Sequence, residues 1–297
     1  MVRTQLATVL LLFSSLFAYA DNQGEGPLKP AKPTSIAVEE VIHRFAAKEK
    51  DFKLAREYYT FRQSVKVQAM DGDTVKGQYA ETFDVLVDDK GRRIENVVFA
   101  PQSNLDDGGL TMTREDLEDL RHRLPFVLTS DELGEYDVLY VGQQQQDELN
   151  TFVFDIAPKQ IAKDKRYFQG RIWVDDQDFQ IVKTNGKTVP DIRKKKGQEN
   201  LFPSFTTWRE QIDGKYWFPS YTLADDTLHF STGDIRIREI LHYEDYKRFG
   251  SSSKIIFDGK ELENAPPAKP GDTTPPEKPD DKKPQSSLRL RLLDLCG

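Results

Sequence analysis

The chain has 297 residues, 37% of them hydrophobic, with 42 Lys and Arg against 49 Asp and Glu for a net charge of −7. That length admits two domains or one large β domain, and the acidic balance argues against a general nucleic-acid binder. The single cysteine, Cys296, excludes an intramolecular disulfide or a cysteine-based zinc site. The four histidines, His43, His122, His229 and His242, are too scattered for a metal motif.

Residues 1–20 have the layout of a signal peptide. Arg3 supplies the positive start, an apolar run follows from Leu6, and Ala18-Tyr19-Ala20 places cleavage before Asp21. The alternative is an uncleaved N-terminal anchor. No later stretch is apolar enough for a transmembrane segment, so the expected location is the periplasm. Residues 21–34 are polar with three prolines and read as a flexible leader.

Residues 35–260 read as one folded domain. Ser35 is placed to cap a helix running to about residue 55, with Val38, Val41, Ile42 and Phe45 on one face. The period then changes. Tyr59, Phe61, Val65, Val67 and Ala69 alternate with polar residues as in a half-buried strand. Residues 70–73 form a turn, and Tyr79, Phe83, Val85 and Val87 mark a second strand. Asp88 to Gly91 turn the chain into a third strand over 94–100. Thr113 to Asp116 resemble a capping box with Asp in place of Glu or Gln. The helix that follows carries Leu117, Leu120 and Leu124 and stops at Pro125. Arg121-His122-Arg123 on it reads as solvated.

Strands are predicted over 136–142, 149–157, 168–175, 179–184, 205–212, 216–223, 228–230, 235–243 and 255–257. Gln143 to Gln146 read as an exposed hairpin loop. Arg193 to Lys196 read as a basic cluster on a long loop, solvated or touching anionic headgroups. Short links imply antiparallel pairing. The expected fold is mainly β within the α+β class: one curved antiparallel sheet of roughly eleven strands, an incomplete barrel with helices on its concave side. Residues 261–297 are rich in proline and charge and read as a disordered tail. Its Leu- and Arg-rich end either docks or frays.

Four segments share a pattern with a known family. Phe168 to Asp175 (FQGRIWVD) followed by Asp178 to Lys183 (DFQIVK) resembles the strand-turn-strand signature of bacterial outer-membrane lipoprotein-sorting proteins, the LolA-like family. Trp208 to Pro219 is similar to its next hairpin. Tyr136 to Gly142 and Thr151 to Pro158 fit the hairpin before. The resemblance spans about residues 35–257. It implies a half-barrel that is not an enzyme and needs neither cofactor nor metal, and that holds lipid or an acylated lipoprotein in a hydrophobic cavity, with an envelope protein as a further partner. The lining candidates are Tyr59, Phe61, Val65, Val67, Tyr79, Phe83, Val85, Trp173, Trp208 and Trp217. Periodicity alone favours core filling for these side chains, and only the resemblance points to a cavity. An envelope interaction module with a filled core and a tethering tail is therefore the alternative. A hydrolase finds little support. Asp88-Asp89 and Asp175-Asp176 lie at strand ends, where Asp favours turns, and no nucleophile elbow, P-loop or HExxH pattern occurs.

Overall fold

The computed structural model describes residues 25–249, apart from 34, 89–91, 122–125, 164, 191, 196–197, 201 and 231–232. The expected signal peptide, the proline-rich tail with Cys296, the strand at 255–257, His122, Leu124 and Pro125 lie outside the described residues. Contacts divide the chain between Ser251 and Ser252, and every described residue belongs to the first unit.

Twelve strands are described: β1 (Tyr59–Asp71), β2 (Thr74–Val87), β3 (Arg93–Phe99), β4 (Tyr136–Gln146), β5 (Leu149–Pro158), β6 (Tyr167–Asp175), β7 (Ile181–Val189), β8 (Ile192–Lys195), β9 (Gln198–Asn200), β10 (Phe205–Ile212), β11 (Tyr216–Phe230) and β12 (Gly233–Arg248). Ten of them form one sheet in the order β3-β2-β1-β12-β11-β10-β7-β6-β5-β4. Every pairing in it is antiparallel. The sheet consists of three meanders, joined where β12 pairs with β1 and β10 with β7. Its two ends, β3 and β4, do not meet, so it is an incomplete barrel.

Helix α1 (Val38–Ala55) packs on one face, here the inner face. Val41 and Phe45 are fully buried there, with Val38 and Ile42 partly so, as the helical spacing requires. Ser35 does not cap it. The N-cap is Ala37, without a side-chain hydrogen bond, and Glu39 and Glu40 in the first turn complement the helix dipole instead. Helix α2 is described over Arg114–Arg121. Its capping box is real, with Thr113 N donating to Asp116 Oδ2 (2.9 Å) and Asp116 N to Thr113 Oγ1 (3.2 Å). Arg121 is no solvated residue: it pairs with Glu81 of β2, which is buried.

Other boundaries move for local reasons. Gln143 to Gln146 continue β4 instead of forming a loop, because β5 pairs with them on one side and the N-terminal segment on the other. Gly26 N donates to Gln145 O (2.9 Å) and Lys29 N to Gln143 O (2.8 Å). The stretch read as a flexible leader thus covers an exposed sheet edge between Glu25 and Lys29. Gly142 permits the crossing, since a Cβ there would collide with the Lys29 carbonyl. The break expected at Asp225-Asp226 is absent, and β11 runs through it. Asp225 accepts hydrogen bonds from Arg236 and Arg238 on the neighbouring β12, which satisfies its charge within the sheet. Residues 193–195 belong to the β8–β9 hairpin, where a long loop was expected. Phe179 precedes its strand with φ 59°, in a turn organised by Asp175, whose Oδ2 accepts from Gln177 N (3.2 Å) and Asp178 N (2.9 Å). That acid is a turn former, as expected of Asp at a strand end.

Candidate functional site: a cavity on the inner face

The inner face is filled at both ends. Over β4 to β7, Phe45 of α1 packs 5.5 Å from Phe154, among Leu128, Phe152, Ile172, Val174 and Ile181. Over β1 and β2, Val65, Val67 and Phe83 are buried with Leu105 of the 3-10 turn at Leu105–Gly108 and Leu120 of α2, and Tyr79 packs against them. Beside the second cluster, which contributes Val85 and Tyr243 to its wall, lies a cavity of about 320 Å³. Its apolar wall comes from Phe52, Tyr59, Phe61, Val85, Val87, Phe218, Pro219, Tyr243 and Tyr246, with Gln63, Arg56, Glu57 and Arg93 as polar lining.

The wall is a connected set of rings. Phe218 lies 5.1 Å from Phe52, 4.6 Å from Tyr59 and 4.7 Å from Tyr246, and Tyr246 lies 5.2 Å from Phe61. Offset and edge contacts at such separations favour a rigid wall. A break in register between β1 and β12 sets this up. Thr60 pairs with Lys247 but Arg62 with Glu244, and Asp245 takes φ 58°. The extra residue shifts the alternation, so Tyr246 lines the same cavity as Tyr243, three positions earlier. The rings are also held at their polar ends. Tyr59 Oη donates to Asp213 (2.8 Å) and Tyr246 Oη to the Pro219 carbonyl (2.7 Å). Burial, with the Asp213 carboxylate, pushes the Tyr59 phenol up to about 12. Burial raises that of Tyr246 well above its ordinary value. Both stay neutral at physiological pH.

One ion pair separates the cavity from the filled end over β4 to β7. Arg209 of β10 donates to Glu49 of α1 through Nη1 (3.0 Å) and Nη2 (3.3 Å), and the two side chains are 1% and 0% exposed. Arg209 Nη2 also donates to the Phe126 carbonyl, and the guanidinium lies 5.1 Å from the Phe52 ring centre. Burial pushes the Glu49 carboxyl above its ordinary value, against the pull of Arg209.

Three of the ten lining candidates, Tyr59, Phe61 and Val85, face the cavity. Val65, Val67, Tyr79 and Phe83 share the same sheet face but are packed under α2 and its preceding turn. The three tryptophans are on the opposite face. Trp173 and Trp217 pack with Val153, Val182 and Leu28, while their neighbours Ile172, Val174 and Phe218 point inward. Lys183 lies 4.7 Å from the Trp173 ring centre and 5.5 Å from that of Trp208, so Trp208 shares this outer side. Size and aromaticity nominated these rings, but the two-residue period decides the face. The buried Lys183 also pairs with Glu25 and Gln146, fastening the N-terminal segment there.

Sequence reading missed Phe52, Phe218, Tyr243, Tyr246, Arg56 and Arg93. Phe52 was accessible, since Phe45, Glu49 and Phe52 continue the helical stripe, though a charge interrupts it. Tyr246 was not accessible, because only the bulge brings it inward. Among the described residues no cluster of three or more His, Cys, Asp or Glu stands close enough to hold a metal ion, and no helix is long and apolar enough to cross a membrane.

No protein-family model matches the chain, and no curated protein matches it in sequence. Among solved structures it is similar to a DUF1329 family protein from Desulfovibrio piger, at 13% identity over 75% of this chain and 96% of the other, with a TM-score of 0.37. A LolA superfamily protein from Nitrosomonas europaea is 14% identical over 70% of this chain and 95% of the other, with a TM-score of 0.29. The Pseudomonas aeruginosa MucA/MucB complex matches at 9% identity over 71% and 99%, with a TM-score of 0.21. The second carries the family name that the sequence motifs resemble. At TM-scores below 0.5 these likenesses carry no functional argument.

Proposed function

We propose that the chain is a noncatalytic, extracytoplasmic lipid-binding carrier that holds an acyl chain in the inner-face cavity. The observation that carries this reading is the ring-walled space itself, bordered by the packed residues Phe218, Val85 and Tyr243. Protein interiors are close-packed, and voids larger than a water molecule are few. At about 320 Å³ the space falls within the ~300–1,000 Å³ of small-molecule sites. Apolar walls of this kind hold water poorly and gain ~0.8 kcal/mol per methylene buried. No metal, ion pair or covalent step is needed for that exchange. The apolar start of the sequence supports export, and N-terminal sequencing of the protein from its host tests cleavage before Asp21.

The direct test is organic extraction and mass spectrometry of full-length protein purified without detergent, with titration of a fluorescent fatty acid. A co-purifying lipid that the probe displaces is the expected result. A clean extract with no probe uptake overturns the reading. A second reading, an envelope interaction module, is favoured by edge strand β3, where Ile94, Val97, Val98 and Phe99 are 45–57% exposed. A lipid-free protein whose β3 crosslinks to an envelope protein would establish it instead.

A further inference from the structure

The cavity carries a polar group at its deep end, where an alkyl chain needs none. Its mouth is at Glu57 and Arg93, which are exposed, and its far end is at Gln63, which is 1% exposed. Along β1, Tyr59, Phe61 and Gln63 are successive inward positions, and the next, Val65, is packed with Leu105 and Leu120. The Gln63 amide is therefore the last group on β1 before the core closes. Across the sheet it pairs with Tyr243 of β12 and Phe83 of β2, both buried. Its side-chain hydrogen bond runs from Nε2 to the Leu120 carbonyl at 3.4 Å, beyond the ~3.2 Å of an ordinary N–H···O bond. Among the described residues no donor reaches its Oε1. A primary amide has two N–H donors and an acceptor oxygen, so Oε1 and the second N–H are left to whatever fills the cavity.

We infer that Gln63 selects the cargo: the site takes a single-chain amphiphile that enters with an uncharged hydrogen-bond donor, a hydroxyl or an N–H, and places it on Gln63 Oε1. The inference rests on the carrier reading and adds the class of cargo. A buried acceptor left without a donor is costly, and a site built around one discriminates against an analogue that cannot donate. The tyrosines of the wall do not supply this bond, since the hydroxyls of Tyr59 and Tyr246 are given to Asp213 and the Pro219 carbonyl. The charged lining is at the other end. Arg56 and Glu57 precede β1, and Arg93 begins β3 opposite Val87, so an ionised head at Gln63 would be buried without a partner. A fatty acid therefore enters tail first, its carboxylate in water at the mouth, and binds without this hydrogen bond. Volume limits the chain. At ~30 Å³ for each carbon, the share of a liquid water molecule, the cavity holds about ten of them.

The test compares two isomers, decan-1-ol and 1-methoxynonane, by isothermal titration calorimetry on the full-length protein at neutral pH. They share size and apolar area, but the ether has no proton to donate. Decan-1-ol is expected to bind at least tenfold tighter. Gln63→Leu, close in volume, should lower the affinity for the alcohol about tenfold, to that of the ether, and leave the ether no weaker. Gln63→Met is a second variant with the same expectation, and a thermal melt of each confirms that it is folded. A parent protein that binds the ether as tightly as the alcohol, or a preference for the alcohol that survives in a folded variant, overturns the role of Gln63 while leaving the carrier reading standing. Binding of neither isomer overturns both.

Discussion

Two regions of the inner face, the filled one over β4 to β7 and the hollow one beside the end of α1, are built from the same materials. Each places alternating Val, Phe and Tyr from antiparallel strands beneath a covering element. They differ in what lies above. An 18-residue helix reaches about 27 Å, whereas ten strands at ~4.8 Å spacing extend over about 43 Å. Helix α1 therefore covers β4 to β7 with Val41 and Phe45 and ends over β11 with Phe52. Helix α2 and the turn before it cover β1 and β2. The cavity lies at the end of the first covering, where Phe52 of α1 meets Tyr59 and Phe218. A hollow in this sheet thus needs no special residues, only a cover shorter than the surface it spans.

The Glu49–Arg209 pair is the sharpest place to break that division. Glu49→Leu leaves Arg209 buried and charged, and should cost ~3–5 kcal/mol in chemical denaturation. Arg209→Met should cost less, because Glu49, already pushed up by burial, takes a proton when its partner is gone. The sign of its pH dependence follows. A carboxyl with a folded pKa above its unfolded one binds more protons when folded, so this variant should be most stable at acid pH. It should lose stability as pH rises from the unfolded towards the folded value. The double variant Glu49→Leu/Arg209→Met should recover most of the loss, since apolar replacement of a buried pair is often neutral or stabilising. A double variant no better than Glu49→Leu alone would show that the pair orders α1 in a way packing cannot replace.

Truncating one ring in each region sharpens the contrast. Phe154→Ala opens a void in the filled region and should cost ~3–5 kcal/mol while fatty-acid uptake persists. Phe61→Ala removes a ring that already borders empty space. It should cost less than Phe154→Ala, since less packing is lost there, yet weaken uptake. Equal stability losses, with uptake unchanged in both, would mean that the hollow is not a binding site.

The smallest effect belongs to the β11–β12 hairpin. Asp225 lies between Arg236 and Arg238, and their hydrogen bonds hold its carboxyl below the ordinary 3.8. A depressed folded pKa contributes stability above the unfolded value and loses it as pH falls through the folded one. Asp225→Asn should therefore cost at most ~1 kcal/mol at neutral pH. Thermal melts of variant and parent should converge below about pH 3.8. A gap that persists in acid would assign the role of Asp225 to shape and not to charge.

Local pattern determined a good deal of this protein. The stripe of Val38, Val41, Ile42 and Phe45, the alternation of Val65, Val67 and Ala69, and the Thr113–Asp116 box each define an element through contacts within a few residues. A sequence displays such contacts directly. Turn chemistry did likewise at Asp71–Thr74 and Asp175. Tertiary structure decided which apolar residues meet a partner. Val67 and Phe61 obey the same alternation on one strand, but only Val67 lies beneath the α2 region. It also decided parity, because the bulge at Asp245 shifts the face of every later residue on β12 and turns Tyr246 inward. Charges were the least legible. Glu49, Arg209, Glu81 and Lys183 look like surface residues in the sequence, and each is buried because a partner distant in the chain satisfies it. Periodicity is a property of one segment, whereas burial of a charge, a hollow between covers and a shared face are properties of pairs of segments, fixed only when the sheet brings them together.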